Sequence, residues 1–417
     1  MNFRELDWKK IGLITVFLLA TIIFGLLLYI FFFRPAPPPT GIESENVNTG
    51  GGVLPLTNEA LVIRTENGNV AIGLPPQQNI NASPYVSNRA KGGLTIVNSL
   101  INNEIKGLTL AGNGSDLLYY NTGDKKFYRI TPDGKPSLLI DKRFFDVDNV
   151  AFAKSKNKAI IEYPDGANIF YNFTNGAQVT LPNHWEQFNF SKQTDTVGFK
   201  NIGINEDNNF LAIANADGSQ AQIVEPISDN VDKVKIDWSP DDQVVALYAD
   251  SLSTEVSGEQ QEIILLGKNH ENFKSFAVEG YNFESEWSKT GDRLLYSVHN
   301  ADSDFIPELW MVNSQGNAIG SGRRNLRVKT WAHKCAFASN SIVYCGVPDS
   351  TEEGIGFVPV LGNTVPDQFY KIDLDTGTKS LLAKPDGDFT VASTRVSEDG
   401  KYLYFTDMSG RLFKINL

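Results

Sequence analysis

Residues 236–248 read IDWSPDDQVVALY, which is an apolar strand, a tight polar turn and a second apolar strand. The pattern recurs seven times between residue 94 and the C-terminus, each time followed by a third strand. Its turn positions, 38 to 59 residues apart, are Ala111, Ala153, Ser191, Ser239, Ser288, Ala338 and Ser397. Such a unit cannot bury both faces of its sheet alone, so the copies must pack against one another.

The spacing of these units is close to the roughly 40–50 residues of a four-stranded propeller blade. The seventh unit reaches Leu417 directly after its third strand, which would leave an unpaired edge that invites aggregation. The segment GLTIVNSL, residues 93–100, precedes the first unit and can supply the missing strand. We therefore predict an all-β seven-bladed β-propeller over residues 93–417, with its ring closed by an N-terminal strand.

Three of the units carry a more specific pattern: WSPDD at 238–242, WSKTGD at 287–292 and VSEDGKYLYF at 396–405. These stretches resemble the W-S-P-D-G repeat of WD40-like propellers. That family includes the Tol-type periplasmic propeller and the propeller domains of prolyl-oligopeptidase-type peptidases. The overall layout also resembles that of membrane-anchored bacterial propeller proteins. The resemblance implies the fold, but propellers host many unrelated functions.

An uninterrupted apolar run precedes the repeats at residues 11–33, IGLITVFLLATIIFGLLLYIFFF. As a helix it would span roughly 34 Å, enough for the hydrocarbon core of a bilayer. Arg4, Lys9 and Lys10 flank its start and Arg34 alone follows it, which favours a cytoplasmic N-terminus. The alternatives are a cleaved signal peptide, disfavoured by the bulky FFFRP end, and a buried core helix, disfavoured because every side is apolar.

The rest of the N-terminal part is a Pro- and Gly-rich linker, residues 34–92, that opens with the stiff stretch RPAPPPT. We predict a cytoplasmic tail at 1–10, a transmembrane helix at 11–33, this linker, and a propeller at 93–417 outside the cytoplasmic membrane, in the periplasm or extracellular space. The net charge of −12 argues against nucleic acid as a partner.

Two cysteines, Cys335 and Cys345, lie in the stretch CAFASNSIVYC. Two strands around a turn near Ser339-Asn340 would bring them to facing positions. In an oxidising compartment a disulfide is expected, and two buried free thiols are the alternative.

No catalytic constellation is recognisable in the sequence. The four histidines have no metal or hydrolase spacing, and none of the common hydrolase, phosphate-loop or redox motifs is present. We predict no catalytic residues, no cofactor and no metal site. The oxygen-rich stretch 300–304, NADSD, could bind Ca²⁺, but an acidic surface loop is the simpler interpretation.

Three of the repeats contain a longer loop at the same position. Units four, five and six each extend the connection between their second and third strands, at 249–262, 298–308 and 346–368. Such connections share one face of a propeller, so three neighbouring blades would raise one continuous rim. The candidate binding residues of this rim are Asp250, Glu255, Glu259, Asp302, Asp304, Phe305, Glu308, Asp349, Glu352, Glu353 and Phe357, with Val358 among them.

Charged residues interleaved with aromatic ones on long loops suit protein recognition. The leading hypothesis is a membrane-anchored binding or scaffold module for a protein or envelope polymer. The alternative is a glycan or peptide hydrolase or lyase at the channel mouth, which would need two carboxylates with separated pKa values. A structural spacer without a ligand is the third hypothesis.

Overall fold

The computed structural model describes residues 86–252, 260–271 and 273–417. The predicted tail, transmembrane helix and most of the linker therefore lie outside the described residues. Within the described ranges, no helix has the length and apolar character needed to cross a bilayer.

Seven sheets, each with four antiparallel strands, form the propeller, and the first strands of most neighbouring blades contact one another. Two short strands come first, β1 (Leu94–Thr95) and β2 (Asn98–Ile101). Blade one has β3 (Ile105–Leu110), β4 (Leu117–Asn121), β5 (Lys126–Ile130) and β6 (Pro136–Leu138). Blade two has β7 (Asn149–Phe152), β8 (Lys158–Glu162), β9 (Asn168–Asn172) and β10 (Gln178–Leu181). Blade three has β11 (Trp185–Phe190), β12 (Thr196–Asn201), β13 (Phe210–Asn215) and β14 (Gln222–Pro226).

The remaining blades follow the same order. Blade four has β15 (Val234–Ile236), β16 (Val244–Leu252), β17 (Gln260–Gly267) and β18 (Phe276–Glu279). Blade five has β19 (Tyr281–Trp287), β20 (Arg293–His299), β21 (Glu308–Asn313) and β22 (Arg324–Lys329). Blade six has β23 (Cys335–Phe337), β24 (Ile342–Pro348), β25 (Asp367–Asp373) and β26 (Lys379–Pro385). Blade seven has β27 (Val391–Val396), β28 (Tyr402–Asp407) and β29 (Leu412–Asn416), completed by β2. Short 3₁₀ turns are Glu206–Asn208, Val231–Lys233, Ala301–Ser303, Gly316–Ala318, Ala332–Lys334 and Pro359–Thr364.

The ring is closed by an N-terminal strand, as predicted, but by a shorter one. Strand β2 pairs antiparallel with β29, with Asn98 opposite Lys414. Residues 94 and 95 instead pair in parallel with β26, as a fifth strand of blade six. The expectation that all of 93–100 would lie in blade seven was therefore wrong. The segment therefore covers the outer edges of two blades. Between its two strands, the Val97 amide donates to the Asp386 carboxylate at 2.9 Å.

Residues 86–92, which the sequence analysis placed in the linker, also lie against the propeller. The amide of Ala90 donates to the carbonyl of Asn416 at 2.8 Å, and that of Gly92 donates to Leu382 at 2.9 Å. The N-terminal segment thus lies against blades six and seven over more than its two strands.

The turn after each first strand explains the repeated sequence pattern. The hydroxyl of Ser239 donates to the carboxylate of Asp241 at 2.5 Å and accepts from the amide of Val244 at 2.9 Å. Ser288 and Ser397 make the same pair of bonds. Short polar side chains that bond the backbone two to five residues on stabilise tight turns.

Tryptophan side chains join neighbouring blades at the ring centre. The Trp238 indole is fully buried and donates to the backbone carbonyl of Asn189 in the previous blade at 3.0 Å. Trp287 repeats the contact with the carbonyl of Asp237 at 3.3 Å. A buried indole needs such a partner for its N–H, so these residues serve packing between blades.

Cys335 and Cys345 lie directly opposite each other on β23 and β24, and a disulfide joins them. Both are almost fully buried. A loop of this length predicts a contribution of about 3 kcal/mol to the free energy of unfolding. We expect the free energy of unfolding, measured with urea, to be higher by that amount without reductant than with reductant. The matched control is the C335A/C345A variant, whose free energy of unfolding should be the same with and without reductant. If reductant changed the stability of both proteins equally, the prediction would be contradicted.

Candidate functional site

Two long connections of neighbouring blades pack together on one face of the ring. Because adjacent strands in each blade are antiparallel, all second-to-third connections share that face with the blade-to-blade crossovers. The blade five connection, residues 300–307, and the blade six connection, residues 349–366, are both described. The blade four connection, residues 253–259, is not, so Glu255 and Glu259 lie outside the described residues.

Backbone hydrogen bonds hold these two connections to each other. The amide of Gly354 donates to the carbonyl of Asp304, and that of Gly356 donates to the carbonyl of Phe305, both at 2.9 Å. The Asn282 side chain adds a bond to the carbonyl of Gly356 at 3.0 Å. Only glycine fits at position 356, because a Cβ atom there would collide with the His299 imidazole. The two loops therefore form one supported surface.

Four rings lie at the centre of this surface, and we call them the ring cluster: Tyr281, His299, Phe305 and Phe357. The Phe357 ring lies 4.9 Å from that of Phe305 and 4.7 Å from the His299 imidazole. Tyr281 is farther, at 6.0 Å from Phe357. Phe305 has a left-handed backbone, with φ of 53°, a conformation that a bulky residue adopts only where the surroundings enforce it.

An apolar patch continues from the ring cluster into solvent. It consists of Phe357, Val358, Val360 and Leu361, which are 54, 44, 63 and 53% exposed. Beneath it, Ile306, Trp331 and Ile355 form a small buried core. The patch is thus an apolar run on a packed support, a combination that marks interaction surfaces.

The predicted rim residues divide into two groups. Asp302, Asp304, Asp349, Glu352 and Glu353 are exposed on the two packed connections. Asp250 lies on β16 instead and pairs with Lys233 at 3.1 Å, while Glu308 begins β21 and accepts from the Asn325 side chain at 2.8 Å. These last two carboxylates are bound within their own blades. That the first group binds a partner stays a prediction.

Sequence reasoning missed four members of this surface: Tyr281, His299, Val360 and Leu361. The run FVPVLG, residues 357–362, was a usable signal, since several apolar residues in a row are unusual in a long surface loop. Tyr281 and His299 gave no signal, because they belong to strands of blade five and meet Phe357 only in the folded protein.

The central channel is the second polar site. Asp237, directly after β15, and Glu286, on β19, line a cavity of about 910 Å³ that opens between the first strands. Burial raises the pKa of both carboxyls, and nearby Lys192 and Lys235 offset this in part. Within the described ranges, no group of three potential ligands is placed to hold a metal ion.

The strand topology alone assigns the class of the protein, which is a seven-bladed β-propeller. No protein-family model and no curated protein matches the chain. Among solved structures it is similar to the Myceliophteria thermophila Cps50 (Swd1) β-propeller domain, at 10% identity and a TM-score of 0.47. The match covers 77% of this chain and 99% of that one. At this distance the similarity carries no argument about function.

Proposed function

We propose that the chain is a binding module that presents the apolar patch and its surrounding carboxylates to a protein partner. The observation that carries this is the run of four exposed apolar residues at 357–361 on a supported loop. Burying them against a partner would release roughly 25 cal/mol for each Å² of apolar surface removed from water.

The acidic residues around the patch define the chemistry of the partner. Asp302, Asp304, Glu352 and Glu353 are exposed on the two packed connections, one of which carries the apolar patch, a composition that suits a hydrophobic interface core with a charged border. A complementary partner has an apolar segment flanked by lysine or arginine. Such border charges accelerate association and make it sensitive to salt.

The enzyme alternative receives less support. A hydrolase or lyase at the channel would need one carboxyl to stay protonated while the other ionises. Burial raises the pKa of both Asp237 and Glu286, and this common direction assigns neither an acid nor a base role to either of them. We therefore propose a non-enzymatic role. The third hypothesis, a structural spacer without a ligand, would not require the supported apolar patch.

We further propose that the module acts outside the cytoplasmic membrane, anchored by residues 11–33. The apolar run with its charge bias supports this, as does the buried disulfide, because disulfides persist in oxidising compartments. Kinship with Tol-type propellers belongs to the same proposal and is supported by the WSPDD and WSKTGD repeats.

Site-specific photo-crosslinking in intact cells tests the binding role. A photoreactive residue at Val360 should yield one discrete protein adduct. The same residue at Ile204, which is fully exposed on a shorter connection of the same face, should not. The V358S/L361S variant should lose the adduct while keeping the thermal unfolding midpoint, since both side chains are largely exposed.

The outcomes separate the hypotheses. A protein adduct at Val360 that disappears in V358S/L361S supports the proposal. An adduct to an envelope polymer would instead show that the partner is a glycan and not a protein. Equal labelling from Val360 and Ile204, or none from either, would refute the binding role of the patch.

A further inference from the structure

Basic side chains crowd the channel at the face opposite the two long connections. The first-to-second turns lie on that face, because the first strand of each blade runs away from the crossovers. Six basic and three acidic residues line the two overlapping channel cavities. The bases are Lys154, Lys156, Lys192, Lys235, Lys289 and Arg395, and the acids are Asp237, Glu286 and Glu398. In a protein of net charge −12, this excess of positive charge is a local feature.

The charges fall into two layers set by the repeat. Lys154, Lys192 and Lys289 directly follow the turn positions of blades two, three and five and form the outer layer, where Glu398 takes the same place in blade seven. Arg395, Asp237 and Glu286 lie two residues before the turn positions of blades seven, four and five and form the inner layer. Four different blades therefore direct basic groups toward one opening.

These six cations are not engaged in close ion pairs in the part of the chain that the structure describes. Over the ranges that the structure describes, none of the six forms an ion pair within 4.0 Å. Arg395 bonds only the neighbouring carbonyl of Thr394 at 2.7 Å, and Lys156 bonds the Thr109 hydroxyl at 2.9 Å. The three acids of the lining offset only half of these six positive charges, and like charges gathered in a cavity repel one another, so an anion would reduce the remaining repulsion.

A buried hydroxyl in the same cavity also lacks a partner. Ser285 lines the channel, is 5% exposed, and its oxygen makes no hydrogen bond among the described residues. Leaving such a group unsatisfied costs about 1–3 kcal/mol. A bound molecule with acceptor oxygens would satisfy it, which is a second reason to expect a ligand there.

We propose that the channel mouth is a binding site for a small anion with at least two phosphate or carboxylate groups. The outer lysines hold its charged groups as point charges, and Arg395 bonds it from the inner layer. The cavity volume of about 910 Å³ lies within the usual range for small-molecule sites. This site is independent of the patch on the opposite face.

Anion binding at this site should be accompanied by proton uptake. Burial, together with the charges of Lys192, Lys154 and Arg395, lowers the pKa of Lys156 to about 8, although Asp195 opposes this shift. A bound anion would favour the charged ammonium and raise that pKa, so binding near pH 8.5 should take up protons. Calorimetry with citrate, which is fully ionised at this pH, in two buffers of different ionisation enthalpy measures this uptake, which K156M should abolish.

The test is calorimetric titration of the full chain with pyrophosphate and, in a parallel arm, citrate. The K192Q/R395Q variant removes one charge from each layer, and K329Q/K371Q removes two exposed charges from outer positions as the matched control. Each lost charge-assisted bond is worth about tenfold in affinity, so K192Q/R395Q should bind about 100-fold more weakly and the control within twofold. Thermal unfolding midpoints verify that all variants fold.

The two arms identify the ligand chemistry. Tighter binding of pyrophosphate assigns phosphate groups, and tighter binding of citrate assigns carboxylates. The proposal is overturned if neither anion binds, if K192Q/R395Q binds as the control does, or if only an extended acidic peptide such as hexaglutamate binds.

Discussion

Replacing Asp367 with asparagine should destabilise the propeller by about 3–5 kcal/mol, because it leaves the Lys334 ammonium buried without a counter-charge. The two side chains are 0 and 3% exposed and lie 2.8 Å apart. Asp367 also accepts a hydrogen bond from the Val391 amide at 2.7 Å. Its carboxylate thus links the end of the 349–366 connection to the 3₁₀ turn before β23 and to the first strand of blade seven. Urea-unfolding midpoints measure the loss.

The matched control is Asp141→Asn. Asp141 pairs with Lys126 at 2.6 Å, but its side chain is 81% exposed. Water screens such a pair, so this variant should lose far less stability than Asp367→Asn does. The double variant D367L/K334M, which removes both buried charges, should recover much of the loss. Equal stability of Asp367→Asn and Asp141→Asn would contradict a buried ion pair at this position.

Replacing strand β2, residues 98–101, by Gly-Ser-Gly-Ser should open the ring and cause aggregation on mild heating. The last strand, β29, would then present an unpaired edge, and the segment that leads into blade one would lose its hydrogen-bonded pairing with blade seven. Size-exclusion chromatography after incubation at increasing temperature measures the effect.

Strand β6 of blade one provides the comparison for this experiment. Residues 136–138 also form an outermost strand, all three are exposed, and their loss would not break the link between the chain ends. Replacing them by Gly-Ser-Gly should lower the onset of aggregation far less. If both replacements behaved alike, ring closure by β2 would contribute no more than any edge strand.

Much of this fold could be predicted from sequence because its signals are local. Ser239, Ser288 and Ser397 mark their turns through bonds that reach only two to five residues along the chain. The facing positions of Cys335 and Cys345 followed from a turn near Ser339-Asn340, and the structure pairs these residues. Alternating strands and turns thus gave the blade number and the register within a blade.

Features that depend on distant parts of the chain were harder to predict. Leu94 and Thr95 cover blade six because of edges formed near residue 385, and nothing in their own sequence selects between two adjacent blades. The channel lysines come from different blades and look like ordinary turn residues when each is considered alone. Aligning the repeats on their turn positions would have revealed Lys154, Lys192 and Lys289 at one equivalent place.

The opposed placement of the exposed carboxylates and the channel lysines gives the propeller a permanent electric dipole along its axis. Faces of opposite sign on one ring attract or repel any charged body that approaches, within the roughly 8 Å range of physiological screening. A cationic protein surface and a small anion would therefore be steered to different ends of the same molecule and need not compete.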